Sequence, residues 1–378
     1  MKNKWKWVVS IFFLIFTPIA GVMHQIKGGG PSGSPSTDAL CPFGGMETLY
    51  SLIANGNYIE KIEPSSLILL GATLLITIVI GRAFCGYICP LGTIQTLLNK
   101  LAKKLKIKQV KLHGKADKVL RYAKYILLFL ILFITYKAHE LILRPYDPWA
   151  VFMHLGSGTE IFEEFLIGFI ILIAILVFSM FIERAWCRYL CPLGATLALI
   201  SPLSIFKVRR NNSNCVDCRA CTRNCPMGLN VHSQEMASKT ECISCGECLS
   251  SCHVDNTLEM KKGSAVLSLN KMATIPLVIL VIVVGSNIAL GTFKTSSSNI
   301  EVLNENGVLN ADNIKGYMTI NDVANEFNID TNIIIEKANL PKDTDINKPL
   351  KELKNDLLDK EIEFETEDLK EVVKELIK

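Results

Sequence analysis

Five stretches of this chain are almost continuously apolar: Trp7 to Met23, Ser66 to Ile80, Tyr122 to Tyr136, Phe165 to Ile182 and Met272 to Leu290. A helix rises about 1.5 Å per residue, so roughly 20 residues cross a hydrocarbon core of about 30 Å. The second and third stretches are short when counted strictly, but flanking residues extend both. The pattern predicts five membrane-crossing helices, whereas a length of 378 residues taken alone would suggest two or three soluble domains. Lys2, Lys4 and Lys6 precede the first stretch, as in a cleaved leader. No small-x-small cleavage site stands before His24, so that stretch reads as a retained anchor.

The polar positions between these stretches are strongly biased. From Arg82 to Arg121 there are ten basic residues and one acidic residue, Asp117. The N-terminal lysines and the run Lys207, Arg209, Arg210 share the bias. Basic loops face the cytoplasm, which predicts the N-terminus inside and the C-terminus outside, with 24–63 and 137–164 as outer loops. The formal charge of +4 hides a second asymmetry: from Glu301 to Lys378 there are 19 acidic and 10 basic residues. Ser296, Ser297 and Ser298 form a linker into this acidic tail.

Thirteen cysteines change the picture. Eight read Cys215-x2-Cys218-x2-Cys221-x3-Cys225-Pro226 and Cys242-x2-Cys245-x2-Cys248-x3-Cys252. This is the ligand run of a bacterial two-cluster ferredoxin, written twice. Three thiolates spaced by two residues let one loop wrap three corners of an iron–sulfur cube, and the fourth cysteine of each run reaches the other cube. The spacing assigns Cys215, Cys218, Cys221 and Cys252 to one 4Fe–4S cluster, and Cys242, Cys245, Cys248 and Cys225 to the second. Structural zinc favours two separated Cys-x2-Cys pairs, and a disulfide framework belongs to small secreted chains; both fit poorly. A reducing compartment suits these thiolates and agrees with the charge bias. Pro226 follows the first run, whereas His253 follows the second.

Four more cysteines repeat. Arg82-Ala-Phe-Cys85-Gly-Tyr-Ile-Cys89-Pro-Leu-Gly92 recurs as Arg184-Ala-Trp-Cys187-Arg-Tyr-Leu-Cys191-Pro-Leu-Gly194. Each copy follows an apolar span and precedes a short apolar segment, Thr93 to Leu98 and Ala195 to Ile200. Repeated halves of membrane proteins often meet about a pseudo-twofold axis with the functional site between them. If helical, a spacing of four stacks Cys85 over Cys89 and Cys187 over Cys191 on one face, with the following proline starting a new helix or breaking the old one. Facing pairs would offer four thiolates to a metal, a third cluster or a redox-active dithiol; buried cysteine also packs as a small hydrophobe. Arg82, Arg184 and Arg188 read most simply as markers of the cytoplasmic ends of spans.

The combination of spans, two Cys-x3-Cys-Pro motifs and a tandem ferredoxin run resembles the membrane-bound polyferredoxin family, over about Trp7 to Leu290. Its members include ferredoxin-type quinol dehydrogenase subunits and regulators of nitrous-oxide reductase. The resemblance implies electron transfer between the quinone pool or a cytoplasmic donor and a redox partner, as a carrier or as a subunit of a quinol-linked oxidoreductase. It carries the cluster ligands onto the eight cysteines already named. An alternative is a maturation factor supplying electrons for metallation of another membrane enzyme; another is a redox sensor acting on the tail.

The remaining features add less. Cys41-Pro-Phe-Gly-Gly lies in the first outer loop and reads as a turn cysteine. His24, His139 and His154 map near outer span ends and His113 to the basic loop, so no span carries an interior haem ligand. Arg144-Pro-Tyr-Asp-Pro-Trp149 suits an interfacial aromatic belt. The tail reads as helices capped by Thr319, Asp330, Asn347 and Thr366; its acidity argues against nucleic acid. No paired-carboxylate site, phosphate loop or nucleophile elbow is visible. The expected fold is mainly α: a polytopic membrane domain over 1–206 with four transmembrane helices, an inserted cytoplasmic ferredoxin module over 207–262, a fifth transmembrane helix over 270–292 and a small all-α domain over 300–378 outside the cytoplasm.

Overall fold

The computed structural model describes residues 3–27, 38–55, 64–110, 112, 114–138, 144–155, 165–293, 309–311, 314, 316, 318–341, 344–358, 362 and 364–377. His113, His139 and the serine linker lie outside them. The chain divides into two compact units, Met1–Gln25 with Ser36–Thr295, and Ile26–Pro35 with Ser296–Lys378.

The first unit is built on a longer repeat than the cysteine motifs alone suggest. Its first copy comprises α1 (Lys4–Lys27), a 3-10 turn (Asp38–Leu40), α2 (Pro42–Asn55), α3 (Pro64–Ile80), α4 (Ala83–Tyr87) and α5 (Pro90–Lys104). The second comprises α6 (Lys115–Ala138), a 3-10 turn (Arg144–Tyr146), α7 (Pro148–Met153), α8 (Leu166–Phe181), α9 (Ala185–Tyr189) and α10 (Pro192–Ile200). Both copies thus run long helix, tight turn, proline-started helix, apolar helix, five-residue helix, proline-started helix. The segments Leu40-Cys41-Pro42 and Tyr146-Asp147-Pro148 occupy matching places.

Among the described residues, three helices are long and apolar enough to cross a membrane: Lys4–His24, Lys115–Lys137 and Leu269–Ala289. The other two expected spans form shorter apolar helices, α3 of 17 and α8 of 16 residues. Large apolar side chains such as Phe12, Ile15, Phe129, Ile170, Phe178 and Val281 stand exposed along these helices, as a lipid-facing surface requires. The inner faces meet in a continuous core that includes Ile76, Ile80, Phe84, Tyr87, Leu197 and Met272.

The proline after each second cysteine starts a helix. Pro90 and Pro192 take the first helical position, where a missing N–H costs nothing. Proline also drives the preceding residue into extended backbone, and Cys89 and Cys191 have φ/ψ of −61°/114° and −62°/116°. The cysteines of each pair are therefore not stacked on one helical face: the first rides a short helix, and the second caps the next one.

The ferredoxin segment follows α10 directly. Strands β1 (Lys207–Arg210), β2 (Leu258–Lys262) and β3 (Ala265–Leu267) form an antiparallel sheet in that order, with Val208 opposite Met260 and Met260 opposite Leu267. Between β1 and β2 lie both cysteine runs and the short helices α11 (Ala220–Arg223) and α12 (Glu247–Ser251). The chain then enters α13 (Leu269–Ala289), capped by Ser268, whose hydroxyl accepts from Lys271 N. Lys6 and Glu247 are 2.5 Å apart, and Leu269 reaches Gly246. The beginnings of α1 and α13 therefore lie at the module.

The second unit packs α14 (Ile320–Phe327), α15 (Thr331–Lys337), α16 (Leu350–Leu358) and α17 (Thr366–Leu376) around a core that includes Ile320, Val323, Ile334, Leu353 and Leu369. Thr319 and Asp330 cap as their sequence positions predict. Two expectations are corrected. Glu365, one residue earlier than Thr366, closes the capping box of α17. Helix α16 starts at Leu350, two residues later than the Lys348 start expected from an Asn347 cap, because Pro349 pairs with Thr319 and Leu350 N donates to Met318 O at 2.9 Å.

Candidate iron–sulfur centres at the membrane surface

The eight module cysteines surround two cavities, four to each. The first, with about 360 Å³ of open space, is lined by Cys225, Cys242, Cys245 and Cys248 together with Pro226, Met227 and Ile243. The second, with about 410 Å³, is lined by Cys215, Cys218, Cys221 and Cys252 together with Arg210, His232 and His253. The fourth cysteine of each run has crossed to the other loop's cavity, which matches the division read from the spacing. His253, in proline's place after the second run, lines the outer cavity. Among the described residues no three His, Cys, Asp or Glu side chains close in on a single-ion site; the sulfurs stand around open space.

Backbone conformation explains how each run wraps its cavity. Asp217 and Arg219 in the first run, and Ser244 and Gly246 in the second, all have φ between 50° and 73°. The left-handed residues fall at the same two places between the cysteines of both loops. Such alternation turns successive amides inward to form a nest for an anionic group. Only one of the four is glycine, and left-handed backbone costs other residue types about 1 kcal/mol or more. Four thiol donors and an inward-facing nest at each cavity suit a thiolate-ligated iron–sulfur cube. Burial pushes the Cys225 thiol up to about 12 and the Cys242 thiol up to about 11, so loading iron there must displace protons.

The two cavities differ in surroundings. The outer one opens near exposed Cys218 and Val216; Arg210 Nη1 donates to Cys215 Sγ at 3.3 Å, and His232 Nε2 lies 3.3 Å from Asp217. The inner one is pressed against the membrane repeats. A Cβ added to Gly86 would lie 2.6 Å from Ile243 O and 3.3 Å from Cys245 Cα and Cβ. Gly86 sits between Cys85 and Cys89, so the inner loop touches the first motif directly. The second repeat has Arg188 in the matching place, and its guanidinium packs on Gly228, just past the first cysteine run.

A buried charge network fixes this contact. Glu241, next to Cys242, pairs with Lys124 at 2.6 Å, Arg121 at 3.4 Å and Arg82 at 3.6 Å. Asp117 pairs with Arg121 at 2.9 Å and Arg188 at 2.5 Å, and accepts from Tyr189 OH at 2.8 Å. The arginines of the motifs are therefore not surface markers of span ends: Arg82, Arg184 and Arg188 are 0%, 2% and 5% exposed. Arg184 holds left-handed backbone at φ 55°. It donates to Cys85 O at 2.5 Å and to Thr96 Oγ1 at 2.9 Å across the repeat boundary.

The other candidates lie apart from the module. Cys41 stands between the 3-10 turn Asp38–Leu40 and α2 and is buried beside Phe43, Leu128, Ile131 and Ala195. Asp147 caps α7 by accepting from Trp149 N at 2.9 Å; Trp149 packs partly buried against the bundle, while Tyr146 in the preceding turn is exposed. His154 stacks on Phe165 and its Nδ1 lies 2.8 Å from Ala150 O. Sequence reasoning missed Glu241, Lys124 and Asp117. The one signal for Lys124 was a cation inside the apolar stretch from Tyr122 to Tyr136.

With this geometry in place the comparisons with known proteins are informative. Residues 62–108 and 165–211, which hold the two Cys-x3-Cys-Pro motifs, each match a family described as a 4Fe-4S binding domain, and residues 207–265 match a 4Fe-4S dicluster domain. YccM of Escherichia coli is 35% identical over 57% of this chain and 61% of its own length. The uncharacterized protein MJ0750 of Methanocaldococcus jannaschii is 36% identical over 57% of this chain and 84% of its own. The ferredoxin-type protein NapH of Haemophilus influenzae is 28% identical over 66% and 90%. No solved structure matches. The chain spans less than two thirds of YccM. Fold and sequence define an iron–sulfur electron-transfer protein with helices long and apolar enough to cross a membrane. It belongs to the membrane polyferredoxin-like electron-transport family.

The network carries a prediction. Burial alone would raise the Glu241 pKa, but Arg82 and Lys124 hold it below the usual carboxylate range. Its folded value is depressed, so its contribution is present above the unfolded carboxylate pKa of about 4.3 and is lost as pH falls through the folded value. Glu241→Gln leaves three buried cations short of an anion, at a cost of about 3–5 kcal/mol at neutral pH. Unfolding in detergent at pH 7 and pH 3 checks this: the variant should be weaker at pH 7 and show a smaller further loss at pH 3 than wild type.

Proposed function

We propose that this protein relays single electrons between a redox partner at the exposed end of the module and a carrier in the membrane, through two 4Fe–4S clusters. Cys215, Cys218, Cys221 and Cys252 hold the outer cluster, and Cys242, Cys245, Cys248 and Cys225 the inner one. The observation that carries this reading is the partition of eight cysteines, in crossed sets, between an open cavity and one pressed against the membrane repeats. The bound clusters supply one-electron redox chemistry. The chain's own residues fix where electrons enter and leave: exposed Cys218 and Val216 give a soluble partner close approach, and Gly86 lets the inner loop meet the membrane domain without an intervening side chain.

The module, the N-terminus and the basic 100–121 segment belong to the cytoplasmic face of the cell membrane. Lys6 bound to Glu247 and α13 starting beside Gly246 support that arrangement. The 21-residue apolar α13 then carries the chain across, with the acidic helical unit outside. A quinone is the membrane-side partner, because a lipid-soluble carrier is the class that reaches a relay ending within an apolar bundle. Reduction of metal ions for another enzyme's maturation draws no specific support from the side chains seen here.

The crossed ligand sets predict a paired pattern of losses. Cys252→Ser should abolish the EPR signal that Cys218→Ser abolishes, and Cys225→Ser the one that Cys245→Ser abolishes. Loss within a run instead, with Cys252→Ser matching Cys245→Ser, would refute the assignment. For the electron route, a water-soluble quinol analogue added to oxidised, anaerobic protein should bleach cluster absorbance within a stopped-flow trace, or its quinone should reoxidise the reduced protein. Inertness in both directions would rule out the quinone.

A further inference from the structure

The four cysteines of the repeated motifs line neither module cavity, and they converge. Cys191 interacts electrostatically with Cys187, Cys85 and Cys89, and Cys89 with Cys187 and Cys85. Cys89 and Cys191 cap two proline-started helices of 15 and 9 residues. Gly194 N donates to Cys191 Sγ at 3.3 Å, and Gln95 Nε2 to Cys187 Sγ at 3.4 Å. Each stretch that matches a 4Fe-4S binding domain holds only two cysteines of this set, whereas a cysteine-held cluster takes four. Only the two repeats together supply them.

Charge sets the next constraint. Arg82, Arg121, Lys124, Arg184 and Arg188 are all buried, and the buried carboxylates among them are Asp117 and Glu241, a surplus of three positive charges. Glu247, further out, is paired with Lys6. The two guanidinium groups nearest the four thiols come from the repeats themselves and cross over: Arg184 Nη1 lies 3.0 Å from where a Gly92 Cβ would stand, and Arg82 Nη2 lies 2.8 Å from where a Gly194 Cβ would stand. That same Gly194 position is 3.4 Å from Cys191 Sγ. Arg82 Nε and Nη2 have no hydrogen-bond partner, although Arg82 is fully buried. Buried unpaired cations are costly; with neutral thiols or a pair of disulfides Arg82 would keep only its 3.6 Å contact to Glu241, which Lys124 and Arg121 share, and Arg184 would have no ion pair among the described residues. Four thiolates around a dication iron–sulfur core carry a net charge of −2, which answers Arg82 and Arg184 one for one.

We infer that Cys85, Cys89, Cys187 and Cys191 jointly hold one further iron–sulfur cluster, shared between the two repeats and next in line after the inner module cluster. Its place in the relay rests on the electron-transfer reading above; the site itself does not. Gly86, between two of its ligands, touches Cys245 of the inner set. An electron leaving the reduced inner cluster reduces this one; no bond forms or breaks and no proton moves. Arg82 and Arg184 act as positioning residues that hold the anionic centre at the membrane surface. Repeat duplication thus serves to build one cofactor site from two half-sites.

The test is iron and acid-labile sulfide per chain in anaerobically purified full-length protein, with Cys85→Ser and Cys187→Ser alongside and EPR of each after reduction. Wild type should carry two or four irons beyond the eight of the module, for a two-iron or a four-iron cluster. Both variants should fall to eight, with the module signals intact. Eight irons in wild type would overturn the third centre and leave the module reading standing, whereas fewer than eight would overturn the module reading as well. Should a variant lose the module signals through misfolding, the wild-type count still decides between the first two outcomes.

Discussion

The contact between the inner cysteine loop and the membrane repeats constrains everything else in this molecule. Glu241 draws Arg82, Arg121 and Lys124 onto the residue next to Cys242, and at Gly86 the absence of a side chain lets Cys245 come close. A docked ferredoxin module could tolerate a water-filled interface if it served only as a tether. An interface with buried ions is expensive to assemble, and here it brings a sulfur-lined cavity against the end of an apolar helix bundle. The asymmetry of the repeats follows from it: glycine at 86, where the loop presses in, and arginine at 188, where the chain past Cys225 needs support.

The sequence reading went furthest where chemistry fixes spacing. Two Cys-x2-Cys-x2-Cys-x3-Cys runs predict crossed ligand sets because a cubane has four corners and a short loop covers three. The cavities divide the same eight residues in the same way. The mainly helical fold was legible from the apolar runs, three of which lie in helices long and apolar enough to cross a membrane, and the caps at Thr319 and Asp330 from local hydrogen-bonding chemistry.

What was not legible depends on residues far apart in sequence. Glu241 and Lys124 are 117 positions apart, and neither carries a local sign of its partner. Arg82 and Arg184 looked like interfacial cations, since positive charge at a span end is the ordinary pattern; their burial follows only once the two repeats face each other. The stacking expected of Cys85 over Cys89 failed because Pro90 imposes extended backbone on the residue before it, a local rule that outweighs helical periodicity. The structural repeat also extends back to Cys41-Pro42 and Asp147-Pro148, where only the proline is shared and no identity-based comparison would find it.

The central claim is that two iron–sulfur cubes sit close together in the module, the inner one against the membrane domain. Low-temperature EPR of anaerobically purified, dithionite-reduced protein in detergent tests it most directly. The account predicts two reduced 4Fe–4S centres whose signals are broadened by mutual magnetic interaction. Colourless protein that contains zinc and gives no signal, or two sharp signals without interaction, would contradict it.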